Sequence, residues 1–376
     1  MDKLTVAHFV NPFLPLTQNW IYHQLRYNTE TRCIVLCQTL ENTAQFPFEN
    51  VYAAFPKTSF ASRANMFISR FRAQYRKGFY LSVIRKETPQ VLHGHFSWES
   101  WRNITIVKKT RLPLVTTFYG LDVNKLARKR VWKRRYKQLF EIGDRFTVEG
   151  DYMAAALIAL GCPKGKIHVI PIGVDIEKIL RHRAASDGEK IKILFVGLER
   201  EKKGSLDAAA AFAVVARKNP RCELHILGAG PFEKPVRNIL ARAAVIDKCI
   251  FHGYIPFDTY CSLLGRMDIL MAPSVIAKNG DTEGGAPVTV IEAQAAGIPV
   301  VGTRHCDIPS IVIEGQTGLL CEEHDTQSLI ANLTMLVEDS ELRKRMGSAA
   351  LIHAADNFSI ERQVQELNRL YRSMVT

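Results

Sequence analysis

Residues 281–302 read DTEGGAPVTVIEAQAAGIPVVG, from Asp281 to Gly302, and combine an acidic loop, a helix and a strand. Pro287 falls near the first turn of the predicted helix, and Gly297 ends that helix before an apolar strand begins. The glycines let the loop backbone approach a ligand, and free amides at the helix N-terminus favour an anion. The stretch therefore predicts an α/β sheet whose strand ends carry a ligand site.

Two glutamates lie in this stretch, Glu283 in the loop and Glu292 in the helix. Carboxylates accept hydrogen bonds from hydroxyls, while backbone amides suit phosphates. Together they indicate a pocket for a nucleotide linked to a sugar. The alternative is an ordinary capped helix with exposed glutamates.

A second stretch, Ile193–Ser205, runs from an apolar strand into a basic turn and then a helix. Lys203 is expected at the carboxyl end of that strand, where a lysine can contact diphosphate oxygens as a compact charge. The alternative is a solvated basic turn. Gly228-Ala-Gly-Pro231 is a further glycine turn, after the next strand.

Apolar strands alternate with helix-period segments along all 376 residues, which predicts parallel sheets covered on both faces. A polar break over 176–190 predicts a linker between two doubly wound domains, and ligands are expected in a cleft at the strand ends. The predicted strands are Leu4–Val10, Arg32–Gln38, Gln90–Phe96, Pro113–Tyr119, Arg145–Val148, Ile167–Ile170, Ile191–Val196, Glu223–Leu227, Cys249–His252, Asp268–Ala272, Ile298–Gly302 and Gly318–Cys321.

Composition excludes several classes of protein. Hydrophobic residues make up 47% and charged residues 23%, which excludes a disordered chain. Neither a membrane-crossing run of about 20 apolar residues nor an N-terminal leader is evident. The 8 cysteines are scattered singly, which favours reduced thiols in the cytosol over disulfides or zinc.

The excess of basic over acidic residues lies in the first half of the chain. Residues 1–175 hold 26 Lys and Arg against 12 Asp and Glu, and residues 176–376 hold 24 against 25. Basic amphipathic segments at Arg63–Lys77 and Lys125–Phe140 suit an anionic membrane surface. Nucleic acid is the alternative partner for the same charges. That alternative leaves the acidic, glycine-rich loop unexplained, and no nucleic-acid motif is present, so we expect no nucleic acid partner.

His93 and His95 end a predicted strand and share one of its faces, and Asp122 follows the next strand. We expect these side chains to line the first-domain side of the cleft, where a second substrate, the acceptor, would bind. Two histidines and an aspartate are also compatible with a metal site.

These motifs together resemble glycosyltransferase family 4, whose GT-B fold has two Rossmann-like domains facing across a cleft. The resemblance covers nearly the whole chain, and its motifs look most like enzymes of bacterial exopolysaccharide or lipopolysaccharide assembly. The matching motifs are His93-Gly-His95, Thr117–Asp122, Ile170–Asp175, Val196–Gly204, Gly228–Pro231, Met267–Ser274, Glu283–Gly297 and the closing Phe358–Tyr371.

The resemblance implies a cytoplasmic, membrane-peripheral enzyme that moves a sugar from a nucleoside diphosphate sugar to a lipid-linked or glycan acceptor. It implies retention of configuration, no cofactor and no metal. Residues 1–175 would bind the acceptor, residues 176–357 the donor, and a terminal helix over 358–376 would return to the first domain. In the donor domain, Glu292 would hold the ribose, Glu283 the sugar and Lys203 the diphosphate, with Gly284, Gly285, Ala286, Pro287, Arg200, Gly228 and Gly230 around them.

Three positions depart from the family pattern. Eight residues rather than seven separate Glu283 from Glu292, Leu198 stands where an arginine is common, and Tyr119 replaces a histidine. We expect Arg200 to reach the diphosphate instead, and Tyr119 to position a substrate, because a phenol is a weak base at neutral pH. Two other functions compete with transfer. One is a nucleotide-sugar epimerase or hydrolase, and the other is a non-catalytic partner subunit with the same fold.

Overall fold

The computed structural model describes residues 3–15, 18–55, 66–184 and 188–375, without the side chains of residues 66–70. The chain divides into two compact units. The first comprises residues 1–149, 154–173 and 360–376, and the second comprises residues 150–153 and 174–359.

The first unit contains a seven-stranded parallel sheet, and its closing helix comes from the C-terminal end of the chain. In chain order its elements are β1 (Thr5–Phe9), α1 (Asn19–Arg26), β2 (Arg32–Cys37), β3 (Val51–Ala53), α2 (Met66–Glu87), β4 (Val91–His95), α3 (Ser97–Arg102), α4 (Ile104–Thr110), β5 (Leu114–Thr117), α5 (Arg130–Ile142), β6 (Arg145–Val148), α6 (Asp151–Ala159, whose first residues belong to the second unit) and β7 (Ile167–Val169). The strand order is β3-β2-β1-β4-β5-β6-β7.

The second unit contains a six-stranded parallel sheet in the order β10-β9-β8-β11-β12-β13. Its elements are α7 (Ile176–Arg181), β8 (Ile191–Val196), α8 (Ser205–Lys218), β9 (Cys222–Leu227), α9 (Glu233–Arg242), β10 (Cys249–Gly253), α10 (Phe257–Leu264), β11 (Ile269–Ala272), α11 (Val288–Ala295), β12 (Val300–Thr303), α12 (Ile308–Ile311), β13 (Gly318–Cys321), α13 (Thr326–Glu338) and α14 (Ser340–Asn357). The chain then returns to the first unit through α15 (Ile360–Arg372).

Successive side chains of the central strand β8 enter two different cores, since strand neighbours point to opposite faces. Ile193 and Phe195 pack in a core with α8 and α13, whereas Leu194 packs in a core with α10 and α11. A sheet covered on both faces requires continuous apolar strands, which explains the patterning of the sequence. The predicted α/β fold of two doubly wound parallel sheets is confirmed.

The structure differs from the sequence prediction in three places. The short strand Val51–Ala53, whose side chains are half-buried, was not predicted. The predicted linker begins with α7, which is anchored by the buried Ile179 and capped by the Asp175 carboxylate. The basic segment Lys125–Phe140 is not one helix, because a π-helical turn over Asp122–Leu126 precedes α5.

In the part of the chain that the structure describes, no helix combines the length and apolar character required to cross a bilayer.

Candidate functional site

The predicted donor residues follow carboxyl ends of strands in the second unit. Arg200 and Lys203 follow β8, Gly228 and Gly230 follow β9, and the 281–287 loop lies between β11 and α11. Because all strands of this sheet are parallel, their carboxyl ends share one edge, where ligands bind in such folds.

Glu283 is held by two ammonium groups. Its Oε1 lies 3.0 Å from Lys203 Nζ, and its Oε2 lies 3.4 Å from Lys202 Nζ. The Glu283 side chain is only 7% exposed. Burial by itself raises the pKa of this carboxyl group, but the charges of Lys203 and Lys202 outweigh burial and lower the pKa to about 2. The group is therefore a fixed carboxylate at neutral pH.

Two glycines bring Lys203 to this position. Gly197 has φ +131°, and a Cβ there would lie 2.4 Å from Lys203 Cγ. Gly204 has φ +66°, and a Cβ there would lie 1.7 Å from the Pro273 carbonyl oxygen. A larger residue would collide with the lysine side chain at Gly197 and with the Pro273 carbonyl at Gly204, so these glycines are needed for the lysine to reach Glu283.

The loop that carries Glu283 is fixed by a buried histidine. The Glu283 amide donates to His305 Nε2 at 3.0 Å, so that nitrogen accepts and Nδ1 carries the proton. Nδ1 lies 2.7 Å from Glu323 Oε1, and the other Glu323 oxygen accepts from the Ile276 amide at 2.7 Å. Ser274 also donates to Glu283 Oε1 at 3.1 Å. The carboxylate is thus positioned through both its backbone and its side chain.

The amides expected to cradle a phosphate lie in this buried loop. Gly284 has φ +79°, a conformation that favours glycine, and its amide donates to the Cys306 sulfur. Gly285 and Ala286 are buried, and Pro287 is the residue from which α11 begins. The loop therefore enters the helix N-terminus directly.

Glu292 lies on the buried face of α11 and is 6% exposed. Tyr260 Oη donates to Glu292 Oε2 at 2.8 Å. Burial raises the pKa of Glu292 to about 7, although the Tyr260 hydrogen bond opposes the shift. Glu292 therefore differs from Glu283: one carboxyl group titrates near neutral pH, while the other stays charged.

Leu198 and Arg200 have separate roles. Leu198 is fully buried and packs in the core against α8, so it is a structural residue. Arg200 Nη1 lies 3.4 Å from Asp281 Oδ2, and the arginine side chain is 48% exposed. Arg200 thus lies beside the loop with part of its guanidinium open to solvent.

Gly228 and Gly230 permit close packing of the turn after β9. A Cβ at Gly230 would lie 2.7 Å from the Leu198 carbonyl oxygen, and one at Gly228 would lie 3.1 Å from Glu199 Oε2. These glycines pack the turn after β9 against the turn after β8.

In the first unit, Asp122, His93 and His95 are fully buried, contrary to the expectation that they line a ligand surface. Asp122 accepts from the Ser97 amide at 2.9 Å and from the Tyr119 amide at 3.1 Å. Burial raises the pKa of Asp122 to about 6, which these amides partly offset. The carboxyl group holds two loops together, and this role explains its burial.

The two histidines belong to a hydrogen-bonded network with His8, which pairs in register with His93 on the adjacent strand. His93 contacts the Tyr371 and Thr117 hydroxyls, each at 2.7 Å, and His95 Nε2 lies 3.1 Å from His8 Nδ1. Burial lowers the pKa of His95 to about 3, so its ring is neutral. These rings stabilise the sheet from within.

Among the described residues, His8, His93 and His95 form the one group close enough to share a metal ion, with ligand atoms within 4.8 Å. Asp122, the ligand considered with the histidines in the sequence, does not belong to it. His93 and His95 contact hydroxyls and His8, whereas His8 Nε2 is buried without a hydrogen-bond partner.

Tyr119 is the one first-unit residue of the four predicted that reaches the surface, with 9% exposure. Its hydroxyl lies 2.7 Å from His95 Nδ1. Burial raises the pKa of the phenol well above its usual value, so it remains protonated and can act as a hydrogen-bond donor.

Several residues of these sites were missed in the sequence: Lys202, Tyr260, Ser274, His305 and Glu323 in the second unit, and His8 and Trp20 in the first. The signal for His305 was its position two residues after the end of β12. Lys202 adjoins the predicted lysine, whereas Tyr260 lies in a helix whose contact with Glu292 no local pattern indicates.

Comparison with known proteins agrees with these observations. The profile described as Glycosyl transferases group 1 matches residues 177–352, and the profile described as Glycosyltransferase Family 4 matches residues 31–178. WcaL of Salmonella typhimurium, named for colanic acid biosynthesis as a glycosyltransferase, is 30% identical over 70% of this chain. The match covers 64% of WcaL, so this chain spans somewhat less than two thirds of that relative.

Solved structures share the fold. A glycosyltransferase from Rickettsia africae superimposes with a TM-score of 0.80 at 16% identity, covering 100% of both chains. HepE of Anabaena, solved in complex with UDP and glucose, gives 0.76 at 15% identity, covering 98% of this chain and 100% of HepE. The glycine-rich loop, the lysine turn, the two parallel sheets and both profile matches lead to one conclusion: the chain belongs to glycosyltransferase family 4, with the GT-B fold.

Proposed function

We propose that this protein transfers a sugar from a nucleoside diphosphate sugar to a lipid-linked or glycan acceptor during cell-surface polysaccharide synthesis. The reaction retains anomeric configuration and uses no metal ion. The observation that carries this proposal is the cluster in which Lys203 and Lys202 hold the Glu283 carboxylate beside the N-terminus of α11.

The cluster suits the departure of a nucleoside diphosphate. Negative charge accumulates on the leaving phosphate as the glycosidic bond breaks, and preorganised positive groups stabilise it. Lys203 and Lys202 supply two such groups, and the N-terminus of α11 supplies hydrogen-bond donors. In this assignment the lysines and amides do the work that a metal ion does elsewhere, and Arg200 adds charge at the rim.

The two carboxyl groups take different hydroxyls. Glu283, a permanent carboxylate, accepts from the donor sugar, while Glu292 accepts from the ribose. The leaving phosphate then takes the proton of the attacking acceptor hydroxyl on the same face of the sugar. This route needs no protein nucleophile and gives retention. That HepE was solved with UDP and glucose supports a donor of this class.

The first unit receives the acceptor at a membrane surface. Lys133, Arg134 and Lys137 are exposed on α5, whose apolar side chains Trp132, Tyr136, Leu139 and Phe140 are buried inside the unit. Because the apolar face of α5 is already packed, this helix adsorbs to anionic lipid through charge alone.

The segment Arg63–Lys77 contributes less than the sequence implied. Arg63 lies outside the described residues, and Arg76 is buried, donating to the Arg102 carbonyl at 3.1 Å. Arg72 is exposed beside Phe71 and Tyr75, which are 79% and 57% exposed. These two rings beside a cation suit a membrane interface.

The test begins with donor binding. A thermal-shift screen of nucleoside diphosphates and their sugars should raise the melting temperature for one nucleotide class, because a ligand stabilises the state it binds. In calorimetry, Glu292→Ala should abolish that binding, and an unchanged Kd would remove Glu292 from the donor site. Product analysis then separates the alternatives: transfer with retained configuration supports the proposal, whereas free sugar or an epimerised donor would replace it with a hydrolase or epimerase.

A further inference from the structure

A cavity in the second unit lies at the edge of the sheet opposite to the predicted donor residues. Its volume is about 670 Å³, which is within the range of small-molecule sites. Gly188, Arg221, Asp268 and Pro299 line it, and they lie shortly before strands β8, β9, β11 and β12. Because these strands are parallel, this is the amino edge, whereas the Glu283 loop follows the carboxyl end of β11.

Three arginines from separate segments surround the cavity. Arg183 follows α7, Arg221 precedes β9 and Arg343 lies on α14. Asp268 is the one acidic residue among the described residues that line the cavity, and its Oδ2 already accepts from the Lys192 amide at 2.8 Å. Positive charge therefore exceeds negative charge in the cavity.

Backbone carbonyl groups fix the position of each guanidinium group. The carbonyl partners are Ala296 for Arg183, Leu336 and Val337 for Arg343, and Gly188 and Glu189 for Arg221. Within the described part of the chain, none of the three arginines forms an ion pair with a carboxylate. Carbonyl dipoles carry only partial charges, so they orient these arginines without neutralising them.

Burial lowers the pKa of the Arg183 and Arg343 guanidinium groups, although the charge of Asp268 opposes this shift. Both groups are therefore partly desolvated cations. Charges removed from water are normally paired with an opposite charge. An anion in the cavity would supply that partner.

We propose that this cavity binds a small phosphorylated molecule, whose phosphate is held by the guanidinium groups of Arg183, Arg221 and Arg343. A guanidinium group has five N–H donors and binds phosphate oxygens in pairs, so each arginine keeps donors beyond its carbonyl contacts. The cavity is larger than a phosphate ion, and Leu180 and Leu351 give it an apolar wall. These features suit an organic phosphate ester.

The proposed phosphate site and the Glu283 loop lie at opposite ends of α11. Arg183 contacts the Ala296 carbonyl just after this helix, whereas Pro287 precedes its first residue. The helix has 8 residues and so spans about 12 Å. The phosphate site is therefore distinct from the donor site and goes beyond the proposed function.

Isothermal titration calorimetry of the intact chain tests the assignment, with inorganic phosphate, glycerol 3-phosphate and AMP as probes. We expect an ester to bind more tightly than inorganic phosphate, because the cavity has room for its organic part. Arg343→Gln should weaken that binding by about tenfold or more, since a charge-assisted hydrogen bond is lost. Arg345→Gln is the matched control, because Arg345 is exposed on the same helix but does not line the cavity.

Ser348→Phe is a second variant that leaves the arginines and their carbonyl contacts in place. Ser348 is exposed on the side of α14 that lines the cavity, so a phenylalanine there would occupy the space of the ligand. We expect this variant to melt cooperatively and to lose binding of the ester. Glu292→Ala, at the donor site, should bind the ester as wild type does.

Three results would overturn the inference. The first is a folded protein that binds none of the probes. The second is binding that persists unchanged in both Arg343→Gln and Ser348→Phe, or that Glu292→Ala abolishes, since the phosphate would then lie elsewhere. The third is co-sedimentation with phosphatidic acid vesicles that Arg343→Gln abolishes, without binding of any soluble ester, because the occupant would then be a lipid headgroup.

Discussion

Lys203 and Glu283 come from separate motifs of the second unit and form an ion pair with 3.0 Å between Nζ and Oε1. The pair joins the turn after β8 to the loop before α11. In the proposed donor site Lys203 contacts the diphosphate as well as Glu283, so that two anions compete for one ammonium charge.

We expect Lys203→Ala to lower kcat by about 100-fold while changing the Kd for the nucleoside diphosphate by less than about tenfold, because its charge matters most as the phosphate leaves. Steady-state kinetics and calorimetry measure the two effects. Lys218→Ala, an exposed lysine on α8, is the matched control and should behave as wild type. Equal turnover in Lys203→Ala and wild type would contradict the leaving-group role.

Acid should destabilise the second unit through Glu283. The folded-state pKa of about 2 lies below the ordinary value of 4.5, so the stabilisation is complete above about pH 4.5 and is lost as the pH falls toward 2. Glu283→Gln should remove this part of the acid dependence, which is on the order of 2–3 kcal/mol. Urea unfolding at about pH 5 and about pH 3 measures it. The exposed Glu338→Gln serves as control, and an acid dependence in Glu283→Gln equal to that of wild type would disprove the assignment.

Glu292 should give the opposite pH dependence. Its folded-state pKa of about 7 exceeds the ordinary value of 4.5, so the folded state holds a proton that the unfolded chain releases between these values. Stability should therefore fall as the pH rises from about 4.5 to about 7 and level off above that. Denaturant titrations of Glu292→Gln should lack this decline. A decline of unchanged size would show that another group titrates there.

The C-terminal helix should depend on the contact between Tyr371 and His93. Tyr371→Phe removes the hydroxyl that lies 2.7 Å from His93 Nδ1 and leaves that buried nitrogen unpaired. We expect a loss of about 1–3 kcal/mol in the free energy of unfolding. Arg369→Ala, an exposed change on the same helix, should cost less than about 0.5 kcal/mol. Equal effects of the two changes in urea unfolding would argue against a role for the buried contact.

Vesicle binding should follow the charge of α5. Replacing Lys133, Arg134 and Lys137 with Glu should abolish co-sedimentation with phosphatidylglycerol vesicles at low salt, since each surface cation contributes about 1 kcal/mol. Added salt should weaken wild-type binding in the same way. The matched triple change at Lys218, Lys234 and Arg242, exposed residues of the second unit, should bind as wild type does. Salt-insensitive binding would point to the exposed Phe71 and Tyr75 instead.

Much of the fold followed from local pattern. Strands Arg145–Val148, Ile191–Val196 and Gly318–Cys321 occur at their predicted bounds, because continuous apolar runs between turns have few alternatives to a buried parallel strand. Val51–Ala53 escaped prediction because three half-buried residues on the sheet edge carry no such pattern. The candidate site was located at motif level for the same reason: glycines and charges that follow strands mark the carboxyl edge of a sheet.

The sequence by itself determined the α/β architecture and the glycine turns, and it identified Lys203, Glu283 and Glu292 as candidate site residues of the second unit. Only the tertiary structure decided what those groups and their neighbours do. It paired Glu283 with a second lysine, Lys202, and removed His93, His95 and Asp122 from the surface into a buried network. The physical reason is the sequence separation of the interactions. Strand and turn signals act between neighbouring residues, whereas burial and the resulting pKa values depend on segments that only folding brings together.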